Sequence, residues 1–204
     1  MTTITPAFQD AVHDSLYCFR LLLKAMSEPG KRVTLDKSHG FGDMQAATAQ
    51  ILLSLADNAT SVWLSPALQS DEAVLDNVRF HSGAPVVAAQ NEADFAVIAE
   101  RDLISCSSQW LAFNQGNEEY PDQATTVIVE LDSLTSGQRI SLSGPGIETR
   151  CDAYIGDVPS EFLTFLMSRQ ELTDFPLGID LILVHQQDVL CLPRTTNVEV
   201  SSCM

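Results

Sequence analysis

The chain has little positive charge. Among its 204 residues, 11 are lysine or arginine and 27 are aspartate or glutamate, so the formal net charge is −16. The electrostatic field of this negative charge repels nucleic acid and anionic membranes at long range, and neither is expected as a partner. The same field opposes a free anionic ligand. Any anion site must therefore be built locally or be completed by a more basic protein.

A membrane span and a secretory signal are also missing. Apolar residues make up 45% of the chain, but no run approaches the ~20 residues that a membrane helix requires. The segment from Met1 to Pro6 has neither the basic start nor the apolar core of a signal peptide. We therefore expect a protein of the cytoplasm.

Close pairs of cysteine are absent. The five cysteines are odd in number and scattered, without the spacing of a zinc knuckle or a redox dithiol, so reduced thiols are expected. They are Cys18, Cys106, Cys151, Cys191 and Cys203. Cys18 and Cys191 have apolar neighbours in the sequence and are predicted to fill the core, whereas Cys203 is expected at an exposed terminus.

The sequence contains no motif for nucleotide phosphates, a metal ion or a hydrolase triad. No G-x-x-x-x-G-K-[ST] occurs, which excludes ATP binding in the P-loop manner, although a nucleotide site of another kind stays open. The segment from Ser143 to Ile147 is glycine-rich, but Pro145 lacks the amide that a phosphate loop would use, so a tight turn is predicted. The four histidines lack the spacing of metal ligands, and no G-x-S-x-G appears. We expect no metal and no cofactor.

Hydrophobic periodicity predicts four helices. Apolar residues at steps of three and four indicate an amphipathic helix over about residues 7–26; its apolar face comprises Phe8, Val12, Leu16, Phe19, Leu23 and Met26. The segment from Met44 to Ala56 is apolar nearly all round, which predicts a helix buried on several faces. Asp71 is placed to cap a helix that runs through Phe80. A fourth helix is predicted from Pro159 to Gln170, with a wide apolar face formed by Phe162, Leu163, Phe165, Leu166 and Met167.

Short apolar and β-branched runs alternate with these helices and predict strands. The runs are Ser61 to Leu64, Phe95 to Ala99, Thr125 to Leu131, Arg139 to Leu142 and Cys151 to Tyr154. Ser136-Gly137 is predicted to join the third and fourth of them as a hairpin. Helices that flank a mixed sheet define an α/β layered fold, and the absence of repeats and low-complexity linkers predicts a single domain over residues 1–204.

The C-terminal segment places charged residues at the borders of apolar runs. Asp180 precedes the run Leu181 to Val184, the chain turns at Gln186 to Asp188, and a second run ends at Pro193-Arg194. Because burying a charge is costly unless it is paired, Asp180 and Arg194 are expected to form an ion pair across a hairpin. Alternatively, Arg194 offers its planar guanidinium to a phosphoryl or carboxylate group. Asp57 and Asp94 also stand in apolar stretches.

A second cationic group stands at the predicted end of the third helix. Arg79 and His81 fall where positive charge is favoured by the carbonyl dipole. Helix capping explains them, and contact with a partner or an anion is the alternative.

The order of these segments resembles the PhnH-type subunit of the bacterial carbon-phosphorus lyase system. The segments that carry the resemblance are Phe19-Arg20, Ala25 to Gly30, Leu53 to Asn58, Trp63-Leu64, Arg79 to His81, Ala93 to Val97, Leu142 to Ile147 and Phe175 to Val200. The resemblance implies a three-layer αβα domain with a mixed sheet, similar to the large domain of pyridoxal-phosphate (PLP) transferases. It also implies a homodimer that assembles with the other subunits of the complex.

The resemblance further implies a part in forming ribose 1-phosphonate 5-triphosphate from ATP and a phosphonate. A PLP enzyme needs a lysine in the cofactor pocket, but the only lysines are Lys24, Lys31 and Lys37, and none lies on a predicted strand. Two hypotheses therefore stand. In the first, the chain is an accessory subunit that works through its interfaces. In the second, it is a catalytic or substrate-binding subunit; its candidate residues are Arg79, His81, Asp180 and Arg194.

Overall fold

The computed structural model describes residues 4–106 and 109–200. Cys203 lies outside this part of the chain. The described chain contains six α-helices and nine strands, together with short 3₁₀ segments at Gln90–Glu92, Glu100–Asp102, Trp110–Ala112 and Pro121–Gln123. None of the helices in these residues is long and apolar enough to cross a membrane.

A six-stranded mixed sheet forms the centre of the fold. In spatial order its strands are β1 (Arg32–Thr34), β8 (Asp188–Leu192), β7 (Asp180–His185), β4 (Thr126–Glu130), β3 (Phe95–Ile98) and β2 (Val62–Leu64). Strands β2, β3, β4 and β7 are parallel, β8 is antiparallel to β7, and β1 is antiparallel to β8. The mixed sheet predicted from the sequence is thus confirmed.

Side chains that alternate along the strands belong to two hydrophobic clusters, one on each face of the sheet. In β7, Ile182 and Val184 join one cluster, and Leu181 and Leu183 join the other. The first face is covered by helices; these are α1 (Ala11–Ser27), α2 (Ala46–Leu55), α3 (Pro66–Gln69) and α4 (Glu72–Ser82). The second face packs against α5 (Leu103–Cys106), α6 (Ser160–Leu172) and a small sheet.

The strands of the small sheet pair differently from the sequence prediction. Its strands are β5 (Arg139–Ser143), β6 (Cys151–Tyr154) and β9 (Asn197–Val200), in the order β6-β5-β9. The hairpin predicted at Ser136-Gly137 between the strands now labelled β4 and β5 is therefore wrong. Because β4 is hydrogen-bonded to β3 on one side and to β7 on the other, it has no free edge for β5. The layer on this face is thus part helix and part sheet.

Helix α1 packs with a different side from the one predicted. It begins after Asp10, whose carboxylate accepts hydrogen bonds from two amides of the first turn. Its buried residues are Cys18, Leu22 and Ala25. The predicted face is largely on the surface; Val12, Leu16, Phe19 and Leu23 are exposed. Residues 21–23 are three consecutive leucines, so apolar residues recur at helical spacing on both sides, and periodicity does not choose between them.

The other three predicted helices are confirmed, whereas the short helices α3 and α5 were not predicted. In α2, residues 47–52 are all buried, as expected for a helix that is apolar all round. In α4, Asp71 accepts a hydrogen bond from the Ala73 amide at 2.8 Å and caps the helix. In α6, Phe162, Phe165 and Leu166 are buried, although Met167 is exposed.

Two local predictions are also confirmed, and one strand was missed. Gly144 and Gly146 have positive φ and form the tight turn after β5, and Cys18 and Cys191 are buried, free thiols. Strand β1 was not predicted, because three residues at a sheet edge carry too short a pattern.

Candidate functional site

Asp180 and Arg194 form the ion pair that the sequence predicted. Strands β7 and β8 form a hairpin in which Leu181 lies opposite Leu192, so Asp180 meets the residues that follow β8. Arg194 Nη2 lies 2.6 Å from Asp180 Oδ2, and the Arg194 backbone amide donates to Asp180 Oδ1 at 2.7 Å. The two side chains are 17% and 22% exposed.

The guanidinium of Arg194 makes further bonds within the chain. Its Nε donates to both oxygens of Asp180, and its Nη1 donates to the carbonyl oxygens of Pro121 at 2.9 Å and Pro176 at 3.1 Å. Among the described residues, Nη2 has one hydrogen-bond partner, Asp180 Oδ2. The pair therefore fastens the hairpin to two loops. Beside it lies a surface cavity of about 270 Å³, lined by Gln170, Phe175 and Arg194 among others.

Arg79 and His81 lie in the last turn of α4, on the first face of the sheet. His81 stacks on Phe41 at 5.4 Å between ring centroids, and its Nε2 lies 2.9 Å from the carbonyl oxygen of Thr5. Arg79 is exposed, and its carbonyl accepts the amide of Gly83, which ends the helix with φ of 70°. In the described residues, no hydrogen bond or ion pair joins this group to Asp180 or Arg194. The four sequence candidates thus form two separate groups.

Asp57 and Asp94 are exposed, which corrects the expectation that apolar stretches would bury them. Asp57 Oδ1 accepts from the amide of Ala59, and Asp94 Oδ2 accepts from the amide of Ser61 at 2.7 Å. Both carboxylates order turns beside short strands.

The most deeply buried ionisable side chains of the described residues include two that sequence reasoning missed, Arg169 and Glu130. Arg169 donates to the carbonyl oxygens of Leu192 and Thr196 and of the proline between them, which holds α6 against the C-terminal strands. Burial lowers the pKa of Arg169 to about 10.

Glu130 ends β4 at the carboxyl edge of the parallel strands. It is 2% exposed, and its Oε1 accepts a 2.7 Å hydrogen bond from the backbone amide of Gln45, just before α2. The Thr48 hydroxyl is near enough to favour the ionised carboxylate, but it lies outside regular hydrogen-bond geometry. Oε2 has no regular hydrogen-bond partner among the residues that the structure describes.

A cleft of about 210 Å³ opens beside Glu130 where β2, β3 and β4 end. It is lined by Asp43, Gln45, Leu68, Ala99, Glu100, Arg101 and Glu130. Ligands of open α/β sheets bind in such crevices, outside the carboxyl ends of the strands. Arg101 does not pair with Glu130, because its Nη1 donates to Asp43 at 2.9 Å and its Nη2 donates to the carbonyl oxygen of Ala67.

Burial raises the pKa of Glu130 to about 7, and the charge of Glu100 adds to the increase. The Gln45 amide, the Thr48 hydroxyl and the charge of Arg101 act in the opposite direction but are outweighed. This carboxyl group therefore takes up or releases a proton near neutral pH. The one sequence signal for it is an acidic residue that follows directly on the run Val127 to Val129.

Comparison with known proteins identifies the family. A model of the bacterial phosphonate metabolism protein PhnH matches residues 6–199. The chain belongs to the PhnH family. It is 35% identical over 194 residues to the alpha-D-ribose 1-methylphosphonate 5-triphosphate synthase subunit PhnH of Rhizobium meliloti (strain 1021). The aligned residues cover 95% of this chain and 94% of the relative. It is also 29% identical over 184 residues to the putative C-P lyase subunit protein HtxG of Stutzerimonas stutzeri, with 89% of this chain and 84% of that protein covered.

The match to the PhnH family spans both buried charged groups. Residues 6–199 include the Asp180–Arg194 pair at the start of β7 and the Glu130 cleft at the end of β4. The family resemblance stated from the sequence is thereby confirmed. In the described residues of this PhnH-family chain, no group of three or more His, Cys, Asp or Glu side chains could hold a metal ion.

Proposed function

We propose that this chain is a subunit of a ribose 1-methylphosphonate 5-triphosphate synthase of the carbon-phosphorus lyase type. The names of both relatives describe subunits of larger enzymes, one of that synthase and one of a putative C-P lyase. We further propose an accessory role, in which the chain acts through its interfaces with the other subunits and with a second copy of itself.

The observation that carries the accessory role is the exposed apolar stripe of α1. We define this stripe as Val12, Leu16, Phe19 and Leu23, which lie at successive helical turns. They are 73%, 43%, 39% and 53% exposed. Contiguous apolar surface of this kind on a helix marks a protein interface more often than a solvated face. The opposite side of the helix already packs against α2 and β8, so the stripe is free for another chain.

Charge favours a second copy of this chain as the occupant. Residues 1–37 contain five basic and four acidic residues, so nearly all of the negative charge of the molecule lies in the remainder. Two chains of charge −16 repel each other least when they meet through this segment. Because the exposed Arg20 and Lys24 lie in the C-terminal half of α1 and Asp10 and Asp14 lie at its N-terminal end, an antiparallel twofold arrangement can also bring opposite charges together.

Sedimentation equilibrium tests the dimer. We expect a mass of roughly 44 kDa, twice the 22.2 kDa of one chain. The double variant Leu16→Glu, Leu23→Glu should sediment as a single chain with unchanged far-ultraviolet circular dichroism. Leu111→Glu serves as a matched control, since Leu111 is 57% exposed on the other face of the sheet. A wild-type protein that sediments at 22.2 kDa at micromolar concentration overturns the dimer.

A catalytic or substrate-binding role is the second candidate, and it involves Arg79, His81, Asp180 and Arg194. Against it, His81 and Arg194 are engaged by groups of the same chain. Calorimetric titration of the isolated chain with ATP and with methylphosphonate separates the two roles. The accessory role predicts no heat of binding from either ligand. Binding that Arg194→Lys weakens at least tenfold, with the fold retained, would establish the catalytic or substrate-binding role instead.

Three finer expectations from the sequence belong to this proposal. The three layers support a likeness to the large domain of PLP transferases, without the cofactor, since Lys24 lies on α1, Lys31 precedes β1 and Lys37 follows it. One six-stranded sheet shared by both hydrophobic clusters supports a single domain over residues 1–204. We also propose that the chain and the synthase into which it assembles reside in the cytoplasm.

A further inference from the structure

The Glu130 cleft is not needed for the dimer proposed above, yet it combines features that a folded core does not require. A carboxyl group at the end of a buried strand would be less costly as an apolar or amide side chain. Among the described residues, Oε2 of Glu130 nevertheless has no regular hydrogen-bond partner, and Glu130 lines a cleft of about 210 Å³. Water occupies ~30 Å³ per molecule in the liquid, so the cleft has room for a small organic group.

The charges around the cleft determine whether a cation or an anion can bind there. Its carboxyl groups are those of Asp43, Glu100 and Glu130, and its basic side chain is Arg101. Asp43 and Arg101 are joined by an ion pair of 2.9 Å, so they largely cancel. Glu100 and Glu130 remain, and the charge of Glu100 opposes the ionisation of Glu130. An anion would therefore be repelled by the cleft and by the net charge of −16.

We propose that the cleft binds one organic cation, an ammonium or a guanidinium group, between the carboxyl groups of Glu130 and Glu100. Such a group donates several hydrogen bonds and would supply the partner that Oε2 of Glu130 lacks. The cation comes either from a free small amine or from a Lys or Arg side chain of another subunit. The first source needs no other protein, whereas the second depends on the proposed function.

Binding of a cation must be coupled to release of a proton. A neighbouring positive charge favours the carboxylate, so it lowers the pKa of Glu130 from its raised value. Arg101, Glu100 and Asp43 also line the cleft, and Thr48 on α2 interacts with this carboxyl. His185 is the last residue of β7, the strand paired with β4. His185 Nδ1 lies 3.1 Å from the carbonyl oxygen of Leu131, the residue after Glu130.

The experiment follows the titration of Glu130 by carbon-13 NMR of labelled glutamate side chains. Glu130→Gln identifies the resonance by removing it. The probes are methylguanidinium and propylammonium at ~100 mM, and tetramethylammonium, which has no hydrogen-bond donor, controls for ionic strength. We expect methylguanidinium and propylammonium each to lower the midpoint of the Glu130 titration by at least one pH unit relative to tetramethylammonium. Such a shift means that the probe binds the ionised carboxylate at least tenfold more tightly than the protonated carboxyl group.

Two variants sharpen the test. Glu100→Gln should weaken probe binding several-fold, whereas Glu118→Gln, the same change at an exposed loop position, should leave it unchanged. An unaltered Glu130 titration in the presence of both probes overturns the proposal.

A second arm, with the chain assembled into the purified synthase, distinguishes the two sources of the cation. If the probes still shift the titration there, the cleft is open to free amines. If they shift it only in the isolated chain, a side chain of another subunit fills the cleft. Failure to assemble would contradict the proposed function and would leave the result from the isolated chain intact.

Discussion

Asp180 and Arg194 stand 14 positions apart and are joined by a 2.6 Å contact between Oδ2 and Nη2 at the open end of the β7–β8 hairpin. Because Arg194 also donates to the carbonyls of Pro121 and Pro176, one side chain links three segments of the chain. Removal of either partner leaves a partly buried charge without compensation, which destabilises the fold. Replacement of both partners by apolar residues of similar volume has a smaller effect.

Arg194→Ala is expected to lower the free energy of unfolding by about 3 kcal/mol, because it leaves Asp180 unpaired. Urea denaturation of both single variants and the double variant gives the coupling energy, which should exceed ~0.5 kcal/mol. Arg101→Ala is the matched control, since its ion pair with Asp43 is more than half exposed and should contribute less than about 1 kcal/mol. Single variants that are as stable as the wild type, in a synthase that has lost activity, would place Arg194 on a functional surface instead.

Glu130→Gln is expected to flatten the dependence of stability on pH. The raised pKa of about 7, against 4.5 for a free glutamate side chain, means that the native chain holds a proton that the unfolded chain releases as the pH rises through this interval. The contribution of Glu130 to wild-type stability should therefore fall between about pH 4.5 and pH 7 by roughly 3 kcal/mol in total, and stay level above it.

The difference between the unfolding free energies of the wild type and Glu130→Gln isolates this group from the other carboxyls. The variant should be the more stable protein at about pH 8, because its amide still accepts from the Gln45 amide without a charge to bury. Glu118→Gln, at an exposed position, should follow the wild-type curve. A difference that does not change between about pH 5 and pH 8 would show that Glu130 ionises normally.

Two adjacent leucines test which side of α1 packs. Leu22 is 4% exposed and Leu23 is 53% exposed. Leu22→Ala should lower the free energy of unfolding by about 2–4 kcal/mol, as for other truncations in a core. Leu23→Ala should have an effect below about 1 kcal/mol on the isolated chain. Equal losses, measured below the concentration at which the dimer forms, would contradict the packing described for this helix.

Pyridoxal phosphate is expected not to form an aldimine with this chain. Lys24 lies on α1, and Lys31 and Lys37 flank β1, so none of the three lysines lies on a strand. Lys24 and Lys31 are exposed and Lys37 is half-buried. Incubation with the cofactor and borohydride, followed by mass spectrometry of peptides, should reveal no stoichiometric adduct. One reduced adduct per chain at Lys24, Lys31 or Lys37 would disprove this expectation.

The sequence could predict elements whose signal is local. The β-branched run of β4, the cap at Asp71 and the pairing of Asp180 with Arg194 each depend on residues that are close along the chain or across one turn. The strand partners of β5 were not predictable in this way, because pairing is decided by which sheet edges the rest of the chain leaves free.

The cleft was hidden for a similar reason. An acidic residue after a strand is typical of an exposed turn. Glu130 is buried because Gln45 and Thr48, more than 80 positions earlier, pack over it. The packed side of α1 was equally undetermined, since both of its sides carry apolar residues at helical spacing.

The position of β1 has a consequence for how the molecule is made. Thr34 donates its hydroxyl hydrogen to Asp188, which is 154 positions later, so the strand that follows α1 has no sheet neighbour until β8 has been synthesised. At ~5–20 residues per second, translation leaves the N-terminal segment waiting for roughly 8–30 s. During that interval α2 can already pack on α1, but the part of α1 that contacts β8 is uncovered, as is the stripe. Helix α1 therefore reaches its final position against the sheet only when β8 has been made, and a partner that recognises α1 in this position must meet the molecule after that point.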